Sequence, residues 1–203
     1  MPLLEESADI APEMFYSMRI ANALAVLLDE KPLERIRVSE ICERASVSRQ
    51  TFYRHFANKY EVPQRYWSYC AEKYLFRVGR ELTWHESFVQ NFQHAQKNID
   101  FFRIVSKEHG YESSVDFGMR RRIESLEETC SLRGIELTDR LKFQINFFAC
   151  AESRIIGREV FMASSYHPEE IADLLESCVP RELHDVLDGP AGQPSPRAAG
   201  TAL

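Results

Sequence analysis

The sequence predicts an all-α protein: a three-helix head containing a helix-turn-helix, joined by a long fourth helix to a helical body. Three observations carry this. Apolar residues recur three and four apart along most of the 203 residues, with no convincing strand and no internal repeat. Helix start and stop signals fall between these runs, among them Ser48, Asn58, Thr138 and Pro168 at starts and Gly79 and Gly134 at ends. Between Val38 and Lys59, VSEICERASVSRQTFYRHFANK, two short amphipathic patterns stand back to back with only a tight turn between them.

The head is expected over residues 13–60, after an acidic, disordered lead of residues 1–12. Its first helix, Met14 to Glu30, carries Ile20, Leu24, Leu27 and Leu28 on one face and stops before Lys31-Pro32. Leu33 and Ile36 bridge to the second helix, where Val38, Ile41, Cys42 and Ala45 follow the i, i+3, i+4, i+7 spacing of a buried face. Glu40 sits in its opening turn, where the helix dipole favours an anion. The pattern breaks at Ala45-Ser46-Val47 and restarts at Ser48, a good N-cap. The third helix buries Phe52 and Phe56 and so turns Arg49, Gln50, Tyr53 and Arg54 outward.

A body over residues 61–187 follows. Asn58 is expected to cap the fourth helix, with Glu61 completing a capping box. That helix reads as long, through Tyr66, Tyr69, Cys70, Tyr74 and Arg77 toward Gly79, with Pro63 removing a bond or kinking it. Phe88, Phe92, Ala95 and Ile99 mark the next helix, and Ile99 to Ser106 a shorter one. Val115, Met119, Ile123, Leu126 and Cys130 mark another, stopped by Gly134. Thr138 caps Asp139 to Ser164, which has two apolar stripes: Leu141, Ile145, Phe148, Ile155 and Val160, and opposite them Phe143, Phe147, Ala151 and Met162. A helix apolar on two sides is central to its bundle or pressed against another subunit. Pro168 opens the last long helix, with Ile171, Leu174, Leu175 and Cys178 on one face, and a short helical turn follows Pro180. Residues 188–203 have no apolar period and are expected to be disordered.

The formal charge of −6 does not by itself favour a nucleic-acid partner. Its distribution does: Arg35, Arg37, Arg44, Arg49, Arg54 and Lys59 face only Glu40 and Glu43 within that window, a local basic footprint suited to phosphates. Arg49 can donate two parallel bonds to guanine and Gln50 can pair with adenine, which suits base reading in a major groove. Tyr53, His55 and Lys59 offer donors for phosphate oxygens. The plainer alternative is that Tyr53 and His55 pack beside Phe56 while the arginines form a solvated face.

No export signal or membrane span is legible, and the five cysteines lack a paired spacing, so a reducing cytoplasm is the expected compartment. The six histidines show no metal spacing, and no Gly-rich phosphate loop or nucleophile elbow appears. No cofactor, metal or enzymatic activity is expected.

The run Ala45-Ser46-Val47-Ser48-Arg49-Gln50-Thr51-Phe52-Tyr53-Arg54-His55-Phe56-Ala57-Asn58-Lys59 resembles the signature of the TetR family of bacterial transcriptional regulators. The resemblance covers about the first third of the chain; Ser46, where the family usually has Gly, and Pro63 depart from it. It implies that Arg49, Gln50 and Thr51 meet base edges and that Ser39, Tyr53, His55 and Lys59 grip phosphates. It also implies a body that binds an inducer and dimerises through its last two long helices. The expectation is a homodimeric repressor released from a pseudo-palindromic operator by a small, apolar or aromatic effector; the alternative is a co-regulator of the same fold acting on a protein partner.

Within the body, Phe88, Phe92, Phe102, Phe117 and Phe148 with Glu152 are candidate effector contacts, although for any one phenylalanine plain core packing is the favoured reading. Phe143, Phe147, Ala151, Arg154, Met162, Leu174, Leu175 and Cys178 are candidate dimer contacts. Glu152, Arg154 and Arg158 interrupt the apolar pattern, to orient a ligand or to form a salt bridge across the dimer.

Overall fold

The computed structural model describes residues 12–98, 101–102, 111–156 and 167–189. Within them the helices are α1 Pro12–Glu30, α2 Val38–Ala45, α3 Arg49–His55, α4 Glu61–Lys73, α5 Trp84–Lys97, α6 Tyr111–Leu132, α7 Asp139–Ile155, α8 Pro168–Ser177 and α9 Arg181–Leu187. Two 3-10 turns, Leu33–Arg35 and Leu75–Arg77, interrupt the sequence of helices. The described residues contain no strand, only an isolated bridge between Val78 and Leu82, and no helix among them is long and apolar enough to cross a membrane.

The chain divides into two compact units: Met1–Tyr69 with Lys97–Lys107, and Cys70–Gln96 with Glu108–Leu203. The first therefore extends past the 13–60 read from the sequence, and α4 begins in one unit and ends in the other.

In the first unit, α1 packs on α2 and α3. Ile20, Leu24, Leu27 and Leu28 are buried, as are Leu33, Ile36, Ile41, Cys42, Ala45, Phe52 and Phe56. Each large apolar side chain so buried contributes about 1.5–3 kcal/mol, which is how so short a pair as α2 and α3 is held in place. Tyr66 extends this core: its ring meets Phe101 edge-on at 5.3 Å and stacks on Phe102 at 5.8 Å.

Three expectations for α4 are corrected. Asn58 and Glu61 form no capping box: Asn58 Oδ1 accepts the Tyr60 N–H at 2.9 Å, and the Glu61 carboxylate accepts from Ala57 N–H at 2.9 Å. Pro63 lies in the first turn, where backbone N–H groups have no intrahelical acceptor, so its missing donor removes no bond and requires no kink. The helix stops at Lys73 instead of continuing toward Gly79, because Tyr74 leaves the helical region (φ −122°, ψ −65°) and a 3-10 turn follows.

In the second unit, α6 and α7 pack along each other and α9 packs against both. Thr138 caps α7 as expected, accepting the Leu141 N–H at 3.2 Å, and Leu141, Ile145 and Phe148 are buried. Ile155, expected on that stripe, is exposed. The predicted continuation to Ser164, with Arg158, Val160 and Met162, and most of the predicted Ile99–Ser106 helix lie outside the described residues. Pro168 does open α8, but its expected face divides: Ile171 and Leu175 point inward with Ala172, while Leu174 and Cys178 are exposed.

The face that α6 buries is partly polar. Arg122, Ser125 and Thr129 are buried beside Leu126 and Cys130. Arg122 and Glu152 of α7, each 2% exposed, form a two-pronged ion pair, Nε to Oε2 at 2.8 Å and Nη2 to Oε1 at 3.1 Å. Arg122 also donates to the Leu75 carbonyl and lies 5.4 Å from the Trp84 ring centroid. Gly79 (φ +72°) sits where a Cβ would come within 3.0 Å of both the Leu187 carbonyl oxygen and Thr129 Cγ2, so close approach as well as backbone conformation requires glycine.

Candidate nucleic-acid interface

The interface is built on α2, the turn after it, and α3. At the start of α2, the Glu40 carboxylate accepts the Arg37 N–H at 2.8 Å and a bond from Lys31 Nζ. Those contacts, Lys31 first, hold its carboxyl below the usual carboxylate range. At the end of α2 the Val47 N–H bonds to the Cys42 carbonyl at 3.0 Å and the Ser46 N–H to the Glu43 carbonyl at 3.1 Å, the pairing of a Schellman stop. This stop needs a left-handed residue, and Ser46 supplies it at φ 52°, ψ 48°, the one non-glycine residue with positive φ among those described.

Ser48 then caps α3: its Oγ accepts the Thr51 N–H at 2.9 Å and lies 2.9 Å from Thr51 Oγ1. The side of α3 that carries Phe52 is buried, and Phe56 just beyond the helix packs on it at 5.5 Å between ring centroids. Rotation about the helix then leaves Arg49, Gln50, Tyr53 and Arg54 exposed. Ser39 is exposed in the first turn of α2.

The remaining candidates are less open. Thr51 is half-buried with its hydroxyl at that of Ser48. His55 is half-buried toward α1, with Nδ1 3.5 Å from Ser17 Oγ and its ring tilted against Tyr16. Lys59 differs most from expectation. Its ammonium donates to the carbonyls of Leu33, Glu34 and Ile36 at 2.7, 2.9 and 2.8 Å. An ammonium has three N–H donors, and these three acceptors take them all. Lys59 thus fastens the connection between α1 and α2, and the phosphate-gripping role read from the sequence is not what this geometry provides. Lysine at this distance in sequence from its acceptors gives no pattern that could have announced it. Arg44 is likewise engaged, with Glu30 at 2.8 Å.

The candidate effector residues do not share one surface. Phe88, Phe92, Phe148 and Glu152 are buried in the second unit, Phe117 is 44% exposed, and Phe102 belongs to the first unit. Glu152, for which the sequence leaves open a ligand contact or a salt bridge across a dimer, forms its ion pair within the chain, to Arg122. Arg122 escaped sequence reading, although Arg122, Ser125 and Thr129 form a polar stripe at helical spacing that could have suggested a buried partner. Among the candidate dimer residues, Phe143 and Phe147 are 72% and 63% exposed and stack on each other at 6.4 Å. Arg154, Leu174 and Cys178 are also exposed and Ala151 is half-buried; Leu175 packs into the chain's own core, and Met162 is outside the described residues.

A family model for bacterial regulatory proteins of the tetR family matches residues 20–64, which contain α2, α3 and the turn between them. No curated protein matches the chain. Among solved structures, the dihydroxyacetone kinase operon activator DhaS is similar with a TM-score of 0.62 and 17% identity over 87% of this chain and 99% of that one. The TetR family repressor AlkX from Dietzia sp. strain DQ12-45-1b, implicated in biodegradation of n-alkanes, is similar with a TM-score of 0.53 and 18% identity over 90% of this chain and all of that one. At such identities these two show a shared all-helical fold with a helix-turn-helix head.

Proposed function

From a chain whose residues 20–64 match the tetR family of bacterial regulatory proteins and whose fold is that of such regulators, we propose a DNA-binding transcriptional regulator: a cytoplasmic homodimer that represses by binding a pseudo-palindromic operator and is released by a small-molecule effector. The observation that carries this reading is the outward face of α3. Arg49, Gln50, Tyr53 and Arg54 are solvent-exposed on a helix whose other side is locked by Phe52, and no ion pair within the head claims Arg49 or Arg54 among the contacts described. Arg49 reads guanine and Gln50 adenine, with Thr51 beside them, and Ser39 and Tyr53 hold phosphates; His55, with Nε2 buried and Nδ1 facing Ser17, supports the helix from behind instead of gripping a phosphate.

Dimerisation is supported by the stacked, exposed Phe143 and Phe147 of α7 and by the exposed Leu174 of α8, apolar side chains that a monomer would leave in water. The effector is an apolar or aromatic compound received in the second unit near Phe88, Phe92 and Phe148. In support, the indole Nε1 of Trp84 is buried there without a hydrogen-bond acceptor, a handle for an effector carrying one.

Replacing Arg49 by alanine is expected to remove about 1–3 kcal/mol of specific binding and to relax base preference at one position of each half-site. A competition gel-shift between matched and mismatched duplexes reads both effects. Unchanged selectivity would remove Arg49 from the reading surface.

A further inference from the structure

His85, in the first turn of α5, faces a row of carboxylates on α8. Its Nε2 lies 3.4 Å from Glu169 Oε2, and its Nδ1 lies 3.4 Å from Asp173 Oδ1 and 3.2 Å from Glu176 Oε2. The other oxygen of Glu176, Oε1, lies 3.0 Å from His184 Nε2 on α9. One turn further on, Asp188 completes a group: single donor atoms of Glu176, His184 and Asp188 all lie within 4.8 Å of one another. All three residues are half-buried, and a cavity of about 750 Å³ bounded in part by Asp173, Glu176 and His184 gives solvent access.

We propose that Glu176, His184 and Asp188 form a binding site for a divalent transition cation of the zinc class, with His85 as a positioning residue for Glu176. The donor set is one imidazole nitrogen and two carboxylate oxygens. Nitrogen selects against magnesium and calcium, which prefer all-oxygen shells, and three protein ligands leave a fourth position for water. Metal–ligand bonds of about 2.0–2.2 Å in a tetrahedron put neighbouring donors about 3.3–3.6 Å apart. The observed donors are close to that spacing: Glu176 and His184 are 3.0 Å apart, and all three lie within 4.8 Å of one another. Glu169 and Asp173 add negative charge around the site; of the cations nearby, Arg181 is directed at Asp185, 3.9 Å away, and Arg133 is engaged by the carbonyls of Leu187 and Gly189 on either side of Asp188. His85 binds the ligating carboxylate from behind, the arrangement by which outer residues orient metal ligands. The ion ties α9 to α8. No metal motif is legible in the sequence because the donors come from α8, from α9 and from the residue that ends α9, with His85 about a hundred residues upstream. This inference is independent of the DNA-binding reading.

The test is titration of the chelator-stripped full-length protein with zinc, followed by calorimetry and thermal melting. The expected result is one zinc per chain and a raised Tm. His184→Gln with Asp188→Asn abolishes binding, Glu176→Gln alone weakens it, and His85→Ala weakens it about 10–100-fold with unchanged stoichiometry. Circular dichroism confirms that the variants fold; should the double variant not fold, Glu176→Gln decides. Cobalt(II) on the unmodified protein shows d–d bands without thiolate charge transfer, and Cys150→Ser with Cys178→Ser binds zinc as before. Absence of zinc binding, binding unaffected by the His184, Asp188 and Glu176 variants, or a thiolate band with loss of binding in the cysteine variant each overturns the proposal.

Discussion

Ser46 and Lys59 show how far single side chains set the shape of the head. Ser46 holds a left-handed conformation that a residue with a Cβ adopts at a cost of about 1–2 kcal/mol. Ser46→Gly relieves that strain but adds freedom to the unfolded chain, so a net gain of about 0.5–1 kcal/mol is expected in denaturant unfolding, with operator selectivity unchanged. Loss of stability would mean that the serine side chain has a role the turn does not reveal. Lys59 has the opposite character, a cation consumed by three carbonyls. Lys59→Met is expected to lower stability by about 1.5–3 kcal/mol and to leave the salt dependence of DNA binding nearly unchanged. A salt slope reduced by about one unit at unaltered stability would instead return Lys59 to the phosphate contacts. Burial at Cys130 pushes its thiol up to about 11, which keeps it protonated and inert at neutral pH.

The elements differ in how much of them the sequence announced. α2 and α3 were legible because their caps, their apolar spacing and their outward residues all follow from local chemistry: Ser48 bonds three residues ahead, and Phe52 and Phe56 lie four apart. Thr138 and Pro168 were legible for the same reason. The stop of α4 at Lys73 was not, since the helical spacing of Tyr66 and Cys70 continues to Tyr74 and nothing local predicts the Tyr74 backbone. Nor was the polar face of α6, because the partner that permits Arg122 to be buried is Glu152 on the next helix. Half of an ion pair reads as a surface residue until its other half is located. Glu152→Gln would leave Arg122 buried with an uncompensated charge, and a loss of about 3–5 kcal/mol is expected in chemical denaturation. Replacing both by apolar residues of similar volume should recover most of it. If Glu152→Gln is neutral, the pair is solvated in solution and α6 and α7 are held by Leu126, Ile145 and Phe148 instead.

For the whole molecule, the proposed DNA-reading surface is small and lies within residues 39 to 54, while the remaining helices supply the exposed aromatic pair of α7 and the buried aromatic core. The division of labour in the proposed function follows: the head chooses the sequence, and pairing of two chains through Phe143, Phe147 and Leu174 sets the distance between heads. A symmetric dimer imposes its two-fold axis on the DNA it prefers, with half-sites about 34–36 Å apart or a multiple of that helical turn. Selection of duplexes from a random pool by the full-length protein tests this most directly. A pseudo-palindrome with that half-site spacing is expected to be enriched, with loss of preference at one base pair in each half when Arg49 is replaced by alanine. A pool that stays random, or an enriched site without two-fold symmetry, would contradict it.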